Sequence, residues 1–581
     1  MRYLSLLSLT FAAVAPLAAQ TSILPADTLG AFRLACTSGG KLERVPAEGS
    51  MGEALRITTP PTISTGTDRE WSCRIRHTLA VPVANGDWLV AAFWVRSVAT
   101  AESGEAYVKL NFERNTSDYR KSVNAGTLVT PYWRRIQIPF KMVEAYTPGG
   151  AMLDFWVGYD PQTIEIGGIA IDNYGQSANP PVATEGYTYP GREADAPWRA
   201  AAQERIGQHR KADLKLVVTN AQGQPQEGVP VKVRMKRHAF GFGSAVAADS
   251  LLGTRADDEI YRQKVKELFN KVVFENDLKW PGWEQNRNRA LNAVRWLREN
   301  GITDIRGHNM VWPNWQYLPN DVRALASNPD ALRKRIDDHI TDVGTATAGL
   351  VKDWDVINEP IPNRDLKNIL GDQELVRWLR LARAADPDVR LFINEYDLET
   401  GGGRNVRKQD QFLQLLQAML DAGAPLTGIG IQGHFGTDVT HPQKVYDVLD
   451  RFAALGLPLQ ITEFDINTLD EQLQADYLRD YLTIVFSHPA IDAFLQWGFW
   501  EGRHWLPAAA LYRRDWSEKP HGKAYRELVF NQWWTNADGV TGTDGTFTVR
   551  GFLGDYEIET PAGVMPVKLQ RDAAPVAIIL P

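Results

Sequence analysis

Two glutamates, far apart in the chain, each end a short apolar stretch that is typical of a buried strand. Glu359 ends Lys352-Asp-Trp-Asp-Val-Ile-Asn-Glu359, and Glu463 ends Pro458-Leu-Gln-Ile-Thr-Glu463. Two facing carboxyl groups can hydrolyse a glycosidic bond, because one protonates the leaving oxygen while the other attacks the anomeric carbon. Only a fold that brings the two strand ends together would make Glu359 and Glu463 such a pair.

The spacing alone does not decide which residue is the acid. Phe392-Ile-Asn394-Glu395-Tyr also ends an apolar stretch with Asn-Glu, so Glu395 competes with Glu359. An acidic residue between a strand and a helix is also commonly a helix cap or a solvated charge. The sequence pattern leaves these alternatives open.

Other strand ends carry hydrogen-bonding side chains and tryptophans. A lone histidine is more often a structural group, but a collection of such residues at one edge suits a sugar, which needs polar contacts to its hydroxyls and flat faces for its rings. The chain's 19 tryptophans and 18 tyrosines fit the same use, with core packing as the competing explanation. The candidates, in chain order, are Glu275, Asn276, Lys279, His308, Trp312, Asn358, Gln432, His434, Asp465, Trp497 and Trp505.

Strands and helices alternate through residues 237–534, which predicts a (β/α)8 barrel. A doubly wound open sheet is the alternative, although it would use fewer strands. Sites in such barrels lie at the C-terminal ends of the strands. The strands are predicted to end near Gly243, Phe274, Trp312, Ile357, Asn394, Ile431, Thr462 and Trp497.

Three motifs in this region resemble glycoside hydrolase family 10, the retaining endo-β-1,4-xylanases. They are Gly307-His-Asn-Met-Val-Trp312, Trp354-Asp-Val-Ile-Asn-Glu359 and Ile461-Thr-Glu-Phe-Asp465. The spacing of Trp497 and Trp505 is similar to that of two family tryptophans that cover the sugar beside the scissile bond. The resemblance covers roughly residues 237–530.

The resemblance implies a role for each matching residue. Glu359 would be the acid/base and Glu463 the nucleophile, with His434 and Asp465 orienting and tuning Glu463. Glu395 would replace a family Asp in a structural or loop role. The substrate-binding residues would be Glu275, Asn276, Lys279, His308, Trp312, Asn358, Gln432, Trp497 and Trp505.

Several positions depart from the family pattern. Pro313 stands where a His is frequent, Asn309 where Thr is commoner, and Phe499-Trp-Glu501 where smaller residues are usual. These departures affect loops around the cleft and leave both carboxyl groups in place.

The rest of the chain predicts further modules. Residues 1–19 have the cation, apolar run and small-residue end of a signal peptide. Residues 20–177 predict a β-sandwich that loosely resembles jelly-roll carbohydrate-binding modules; whether it binds a glycan stays open. Residues 178–212 predict a linker and a helix. The strands in 213–236 and 535–581 either pair into one small β module or form independent flaps.

Composition restricts the partners. The chain has 63 basic and 70 acidic side chains, and a net charge of −7 disfavours nucleic acid as a partner. No later apolar run is long enough to cross a membrane, and no cluster of residues has metal-ligand spacing. The two cysteines, Cys36 and Cys73, could pair in an exported protein or remain separate thiols.

The sequence therefore predicts a monomeric, multidomain enzyme, secreted or periplasmic, that needs neither metal nor cofactor. The expected function is a retaining endo-β-1,4-xylanase acting on the polysaccharide xylan with two Glu residues. The alternatives are another retaining β-glycanase, acting on cellulose or mixed-linkage glucan, and a non-catalytic glycan-binding protein.

Overall fold

A computed structural model describes residues 21–37, 39–63, 67–99, 106–176 and 188–580. The chain divides into two compact units, residues 1–187 and 188–581. The predicted signal peptide and the first part of the predicted linker lie outside the described residues, so export stays a prediction.

The first unit is built from two antiparallel sheets that face each other. Phe93 of one sheet packs edge-on against Phe155 of the other, with ring centroids 4.9 Å apart. Alternate residues of both sheets, such as Ile75 and Ile166, are fully buried, as expected when each strand turns one side chain in two towards a core. This confirms the predicted β-rich N-terminal region. The structure joins Cys36 and Cys73, on neighbouring strands, in a disulfide.

The first sheet contains Thr21–Ser22, Lys41–Pro46, Glu53–Thr58, Trp88–Ala99, Arg134–Lys141 and Thr163–Asn173. The second contains Arg33–Cys36, Cys73–Thr78, Ala106–Arg114, Lys121–Val129 and Ala151–Trp156. The short helical turns are Thr28–Ala31, Gly49–Met51 and Thr67–Ser72.

The second unit contains a closed barrel of parallel strands, which confirms the predicted fold class. Each strand pairs with the next in chain order, and the eighth pairs with the first. The eight strands are Gly241–Val246, Lys271–Phe274, Asp304–Val311, Asp353–Asn358, Arg390–Glu395, Gly428–Ile431, Leu459–Ile466 and Ile491–Gln496.

Helices cover the outside of the barrel, and several begin at residues that favour a helix start. Asn328 accepts a hydrogen bond from the Ala331 N–H, and Asp470 accepts from Gln472 and Leu473, which satisfies donors that a first helical turn leaves free. The longer barrel helices are Ala256–Leu268, Trp280–Glu299, Pro329–Thr347, Gln373–Ala385, Val406–Asp421, Pro442–Ala453, Glu471–Ser487 and Pro520–Arg526.

The helix Pro197–His209 precedes the barrel. Shorter elements complete the loops of this unit: Ala248–Leu252, Trp315–Tyr317, Asn320–Ala324, Asp365–Leu370, Gly401–Gly403, the strand His434–Phe435, Pro507–Ala509 and the π-helical turn Glu527–Gln532.

Two small sheets combine strands from before and after the barrel. Lys211–Thr219 lies between Thr546–Phe552 and Val576–Ile579 in one sheet. In the other, Pro230–His238 lies between Asn536–Val540 and Gly554–Thr560, and Gly563–Leu569 extends that sheet. Of the two alternatives that the sequence left open, the structure has the one in which the flanking segments pair.

Candidate active site

Glu359 and Glu463 lie at the same end of the barrel, linked by a short chain of amides. The fourth strand ends at Asn358, one residue before Glu359, and Glu463 lies in the seventh strand. Asn394 Nδ2 donates to Glu463 Oε1 at 2.7 Å and to Asn358 Oδ1 at 3.0 Å. Asn358 Nδ2 in turn lies 3.4 Å from Glu359 Oε1. The C-terminal ends of neighbouring strands thus bring the two carboxyl groups into one cluster.

The surroundings of Glu359 favour its protonated form. Gln432 Nε2 donates to Oε1 at 3.0 Å, and Asn363 Nδ2 to Oε2 at 3.2 Å. Burial raises the pKa of Glu359 to about 7; the hydrogen bond from Gln432 opposes this rise, and the negative charges of Glu395 and Glu463 add to it. A carboxyl group with a pKa near neutrality can give and take a proton during a reaction.

The surroundings of Glu463 favour its ionised form. Burial by itself raises the pKa of this carboxyl, whose side chain is 6% exposed. Attraction to His308, a hydrogen bond from His434 and the charge of Lys279 outweigh burial, so the pKa of Glu463 lies below its ordinary value. An ionised carboxylate in this position can act as a nucleophile.

His434 forms ion pairs with two carboxylates. Its Nε2 lies 3.2 Å from Glu463 Oε2, and its Nδ1 lies 3.0 Å from Asp465 Oδ1. Burial opposes a positive charge here, but Asp465 and Glu463 together raise the pKa of His434 to about 10, so the ring is an imidazolium at neutral pH. Trp505 Nε1 donates to Asp465 Oδ2 at 2.8 Å, which fixes the far end of this arrangement.

Aromatic rings and a lysine line the same end of the barrel. Lys279 Nζ lies over the rings of Trp312 and Trp497, 5.5 and 5.9 Å from their centroids. The ammonium group can only donate hydrogen bonds, and it donates one to Asn276 Oδ1 at 3.0 Å. His308 packs edge-on against Trp497 at 5.1 Å. These rings offer flat apolar faces beside the two carboxyl groups.

The remaining predicted residues fall into the same region. His308 Nδ1 contacts Asp355 Oδ2 at 2.9 Å and lies 3.9 Å from Glu463 Oε1. Glu275 follows the second strand, and burial raises its pKa. Trp505 is 52% exposed, so its ring is open to solvent at the edge of the site.

The sequence predicted no site role for three residues, Asn394, Thr462 and Asn363. Asn394 contacts Glu463 directly, and Thr462 Oγ1 donates to Asn394 Oδ1 at 2.7 Å. Asn363 contacts Glu359 and lies in the loop after the fourth strand. The Asn-Glu pair that ends the fifth strand was a usable signal, but it drew attention to Glu395 instead of Asn394.

Among the described residues, no group of His, Cys, Asp or Glu side chains has the arrangement of a metal site. In the same parts of the chain, every helix is too short or too polar to cross a bilayer.

A closed (β/α)8 barrel that carries two carboxyl groups with pKa values shifted in opposite directions at its C-terminal end has the arrangement expected of a glycoside hydrolase. The model of Glycosyl hydrolase family 10 matches residues 231–529, and the chain belongs to that family.

Two individual relatives match a longer part of the chain than the family model does. The chain is 32% identical to "Anti-sigma-I factor RsgI6" of Acetivibrio thermocellus, over 62% of this chain and 46% of that protein. It is 29% identical to "Endo-1,4-beta-xylanase 1" of Arabidopsis thaliana, over 60% of this chain and 36% of that protein. The chain thus spans less than half the length of these two relatives.

A solved structure is similar to part of the chain. Xylanase 10B from Thermotoga petrophila RKU-1, in complex with xylobiose, is 26% identical, and the match covers 51% of this chain and 95% of that one with a TM-score of 0.46.

Proposed function

We propose that this protein is a retaining endo-β-1,4-xylanase in which Glu359 is the acid/base and Glu463 the nucleophile. The observation that carries the proposal is the contrast between two neighbouring carboxyl groups: burial raises the pKa of Glu359 to about 7, whereas the contact with His434 helps to hold the pKa of Glu463 below its ordinary value. Family membership and the xylanases among the relatives support a xylan substrate.

The first step uses both carboxyl groups at once. Glu359 gives its proton to the glycosidic oxygen as that bond breaks, and a carboxylate oxygen of Glu463 bonds to the anomeric carbon. The products are a shortened glycan and a glycosyl ester on Glu463. Because Lys279 and the rings of Trp312 and Trp497 lie beside the carboxyl groups, they are placed to hold the sugar during this step.

The second step reverses the roles. Ester formation removes the negative charge of Glu463, which had helped to raise the pKa of Glu359. The Glu359 carboxylate therefore becomes stable and takes a proton from a water molecule that attacks the anomeric carbon. The Glu463 ester bond breaks, and the sugar leaves with its original anomeric configuration.

Two variants test these assignments. Glu463→Ala should lower the rate of xylan hydrolysis by more than about 10³-fold, since the covalent step disappears.

Glu359→Ala should lower the rate of xylan hydrolysis by about 10²- to 10⁴-fold. It should lower the rate of glycosyl-enzyme formation from an activated aryl xyloside much less, because that leaving group needs no proton. The measurements are reducing-sugar release and the burst of aryl alcohol.

Glu559→Ala, at an exposed position on a strand of the small β module, is the matched control and should keep full activity. Equal loss on both substrates for Glu359→Ala would contradict its role as the acid. Faster release of sugar from a soluble cellulose derivative or mixed-linkage glucan than from xylan would show that xylan is not the preferred substrate. Binding of xylan with hydrolysis that is unaffected by Glu463→Ala would contradict the enzyme mechanism.

A further inference from the structure

A buried carboxylate lies directly behind the turn that carries Glu359. Glu395 ends the fifth barrel strand, and its side chain is fully buried. Its Oε2 accepts a hydrogen bond from the backbone N–H of Ile361 at 3.1 Å, and its Oε1 accepts from the N–H of Tyr396 at 3.1 Å. Both carboxylate oxygens therefore accept a backbone hydrogen bond, and one of these bonds holds the backbone at Ile361, two residues after Glu359.

A buried lysine completes this contact. Lys408, in the first turn of the helix Val406–Asp421, places Nζ 2.9 Å from Glu395 Oε1 and 3.2 Å from the centroid of the Tyr396 ring. The lysine side chain is 9% exposed. A charge removed from water to this degree needs a partner, and Glu395 supplies it.

The turn itself needs such support. Glu359 has a φ of 52°, in the left-handed region that non-glycine residues rarely adopt. Such a conformation persists only where the surroundings hold it. Three contacts do so from the backbone side: Glu359 N–H donates to Asn394 O at 2.7 Å, Lys367 Nζ donates to Pro360 O at 2.6 Å, and Glu395 accepts from Ile361.

We propose that the Glu395–Lys408 ion pair fixes the Glu359 turn in the geometry needed for proton transfer, so that both are positioning residues for the acid/base step. This proposal rests on the proposed function, since it takes Glu359 to be the acid/base. Neither residue needs to touch the substrate to act in this way. Formation of the glycosyl-enzyme from substrates with poor leaving groups depends on the pair, while its formation from activated substrates does not.

The pair also acts on Glu359 through charge. The ionisable groups whose charges act on Glu359 include Glu463, Glu395, Lys408, Lys279 and Tyr317. Burial has the largest effect on the pKa of Glu359 and raises it. The charge of Glu395 also raises this pKa, and the charge of Lys408 lowers it. Replacing Glu395 by Gln removes the carboxylate and leaves Lys408 uncompensated, so both changes lower the pKa of Glu359.

Glu395→Gln gives the direct test. The pH above which kcat/KM on xylan declines should move down by about one unit or more, the size expected for a lost charge at short range. At the wild-type optimum, kcat on xylan should fall by about tenfold, while formation of the glycosyl-enzyme from an activated aryl xyloside changes less than about twofold. The double variant Glu395→Gln/Lys408→Met, which removes both charges, should return the midpoint most of the way to the wild-type pH.

Glu395→Asp distinguishes the position of the carboxylate from its charge. It also replaces Glu395→Gln as the test if that variant does not unfold cooperatively. It keeps the carboxylate but shortens it, so the pH midpoint should stay within about 0.5 unit while kcat on xylan falls. An unchanged alkaline midpoint in folded Glu395→Gln, or equal loss on both substrates, would overturn the proposal and leave only a structural ion pair. Failure of the proposed function would give a different result. Glu359→Ala would then lower the rates on xylan and on the activated aryl xyloside equally, independently of the results for the Glu395 variants.

Discussion

Two identical side chains at the mouth of one barrel have pKa values shifted in opposite directions because different neighbours surround them. Burial raises the pKa of both carboxyl groups. Glu359 has mainly amide donors around it, whereas Glu463 lies against the His434 imidazolium and near His308 and Lys279. The division of labour between acid and nucleophile is therefore a property of the residues around the glutamates.

His434 is the residue with which this argument can be tested. A lowered pKa keeps Glu463 active at pH values above that pKa, and activity is lost as the pH falls through it. His434→Asn removes a positive charge and a charge-assisted hydrogen bond, so the pKa of Glu463 should rise and the acidic decline of kcat/KM should move up by about one pH unit or more. His209→Asn, outside the barrel, is the control. An acidic limb that does not move would contradict the pairing of His434 with Glu463.

Residues that belong to a recognisable motif could be predicted from the sequence better than residues whose role depends on contacts made in the folded chain. Glu359 and Glu463 are recognisable because each follows an apolar stretch within a specific motif, and the structure brings them together. Asn394 has no such mark, because an asparagine near the end of a strand is common and its contact with Glu463 depends on how neighbouring strands align. Glu395 could be named, but its bond to Ile361 N–H needs the folded turn.

At the scale of elements, strand order was easier to predict than strand ends. The first barrel strand continues to Val246 and the seventh to Ile466, beyond the predicted Gly243 and Thr462. Fully buried parallel strands carry apolar residues on both faces, so periodicity does not mark where they stop. The longer seventh strand matters for the site: Glu463 and Asp465 are two residues apart on one strand and therefore point to the same side, where His434 lies between them.

The opposite, N-terminal ends of the strands hold a buried charge network that should contribute to stability. Asp353 contacts Lys271 Nζ at 2.5 Å and Arg390 Nε at 2.6 Å, and its side chain is fully buried. Asp353→Ala leaves these cations short of a partner and should lower the free energy of unfolding by about 3–5 kcal/mol. Denaturant unfolding measures this change.

An exposed ion pair provides the comparison for that prediction. Lys232 and Glu559 lie 2.8 Å apart with side chains 51% and 52% exposed, so Glu559→Ala should cost less than about 1 kcal/mol. Equal effects of Asp353→Ala and Glu559→Ala would show that the buried network adds nothing to the barrel's stability.

At the scale of the whole molecule, the barrel is an insertion between the strands of a small β module. Lys211–Thr219 and Pro230–His238 precede the barrel, and each pairs with strands that follow it. The sequence could show that neither flanking segment is able to bury a core alone, but not that they find each other across about 300 residues of barrel, because pairing over such a separation leaves no local pattern.

This arrangement makes the C-terminal segment necessary for stability. Truncation after Trp534 removes Ile558 and Tyr556 from the small module's core and leaves Leu216 and Val233, which are fully buried in the intact chain, without their partner strands. Exposure of each such side chain costs about 1.5–3 kcal/mol, so thermal melting of the second unit should shift down by more than about 5 °C. Calorimetry measures the shift. Truncation after Gln570 removes only the strand Val576–Ile579 and should have a smaller effect; an unchanged melting temperature after the longer truncation would mean that the module does not stabilise the barrel.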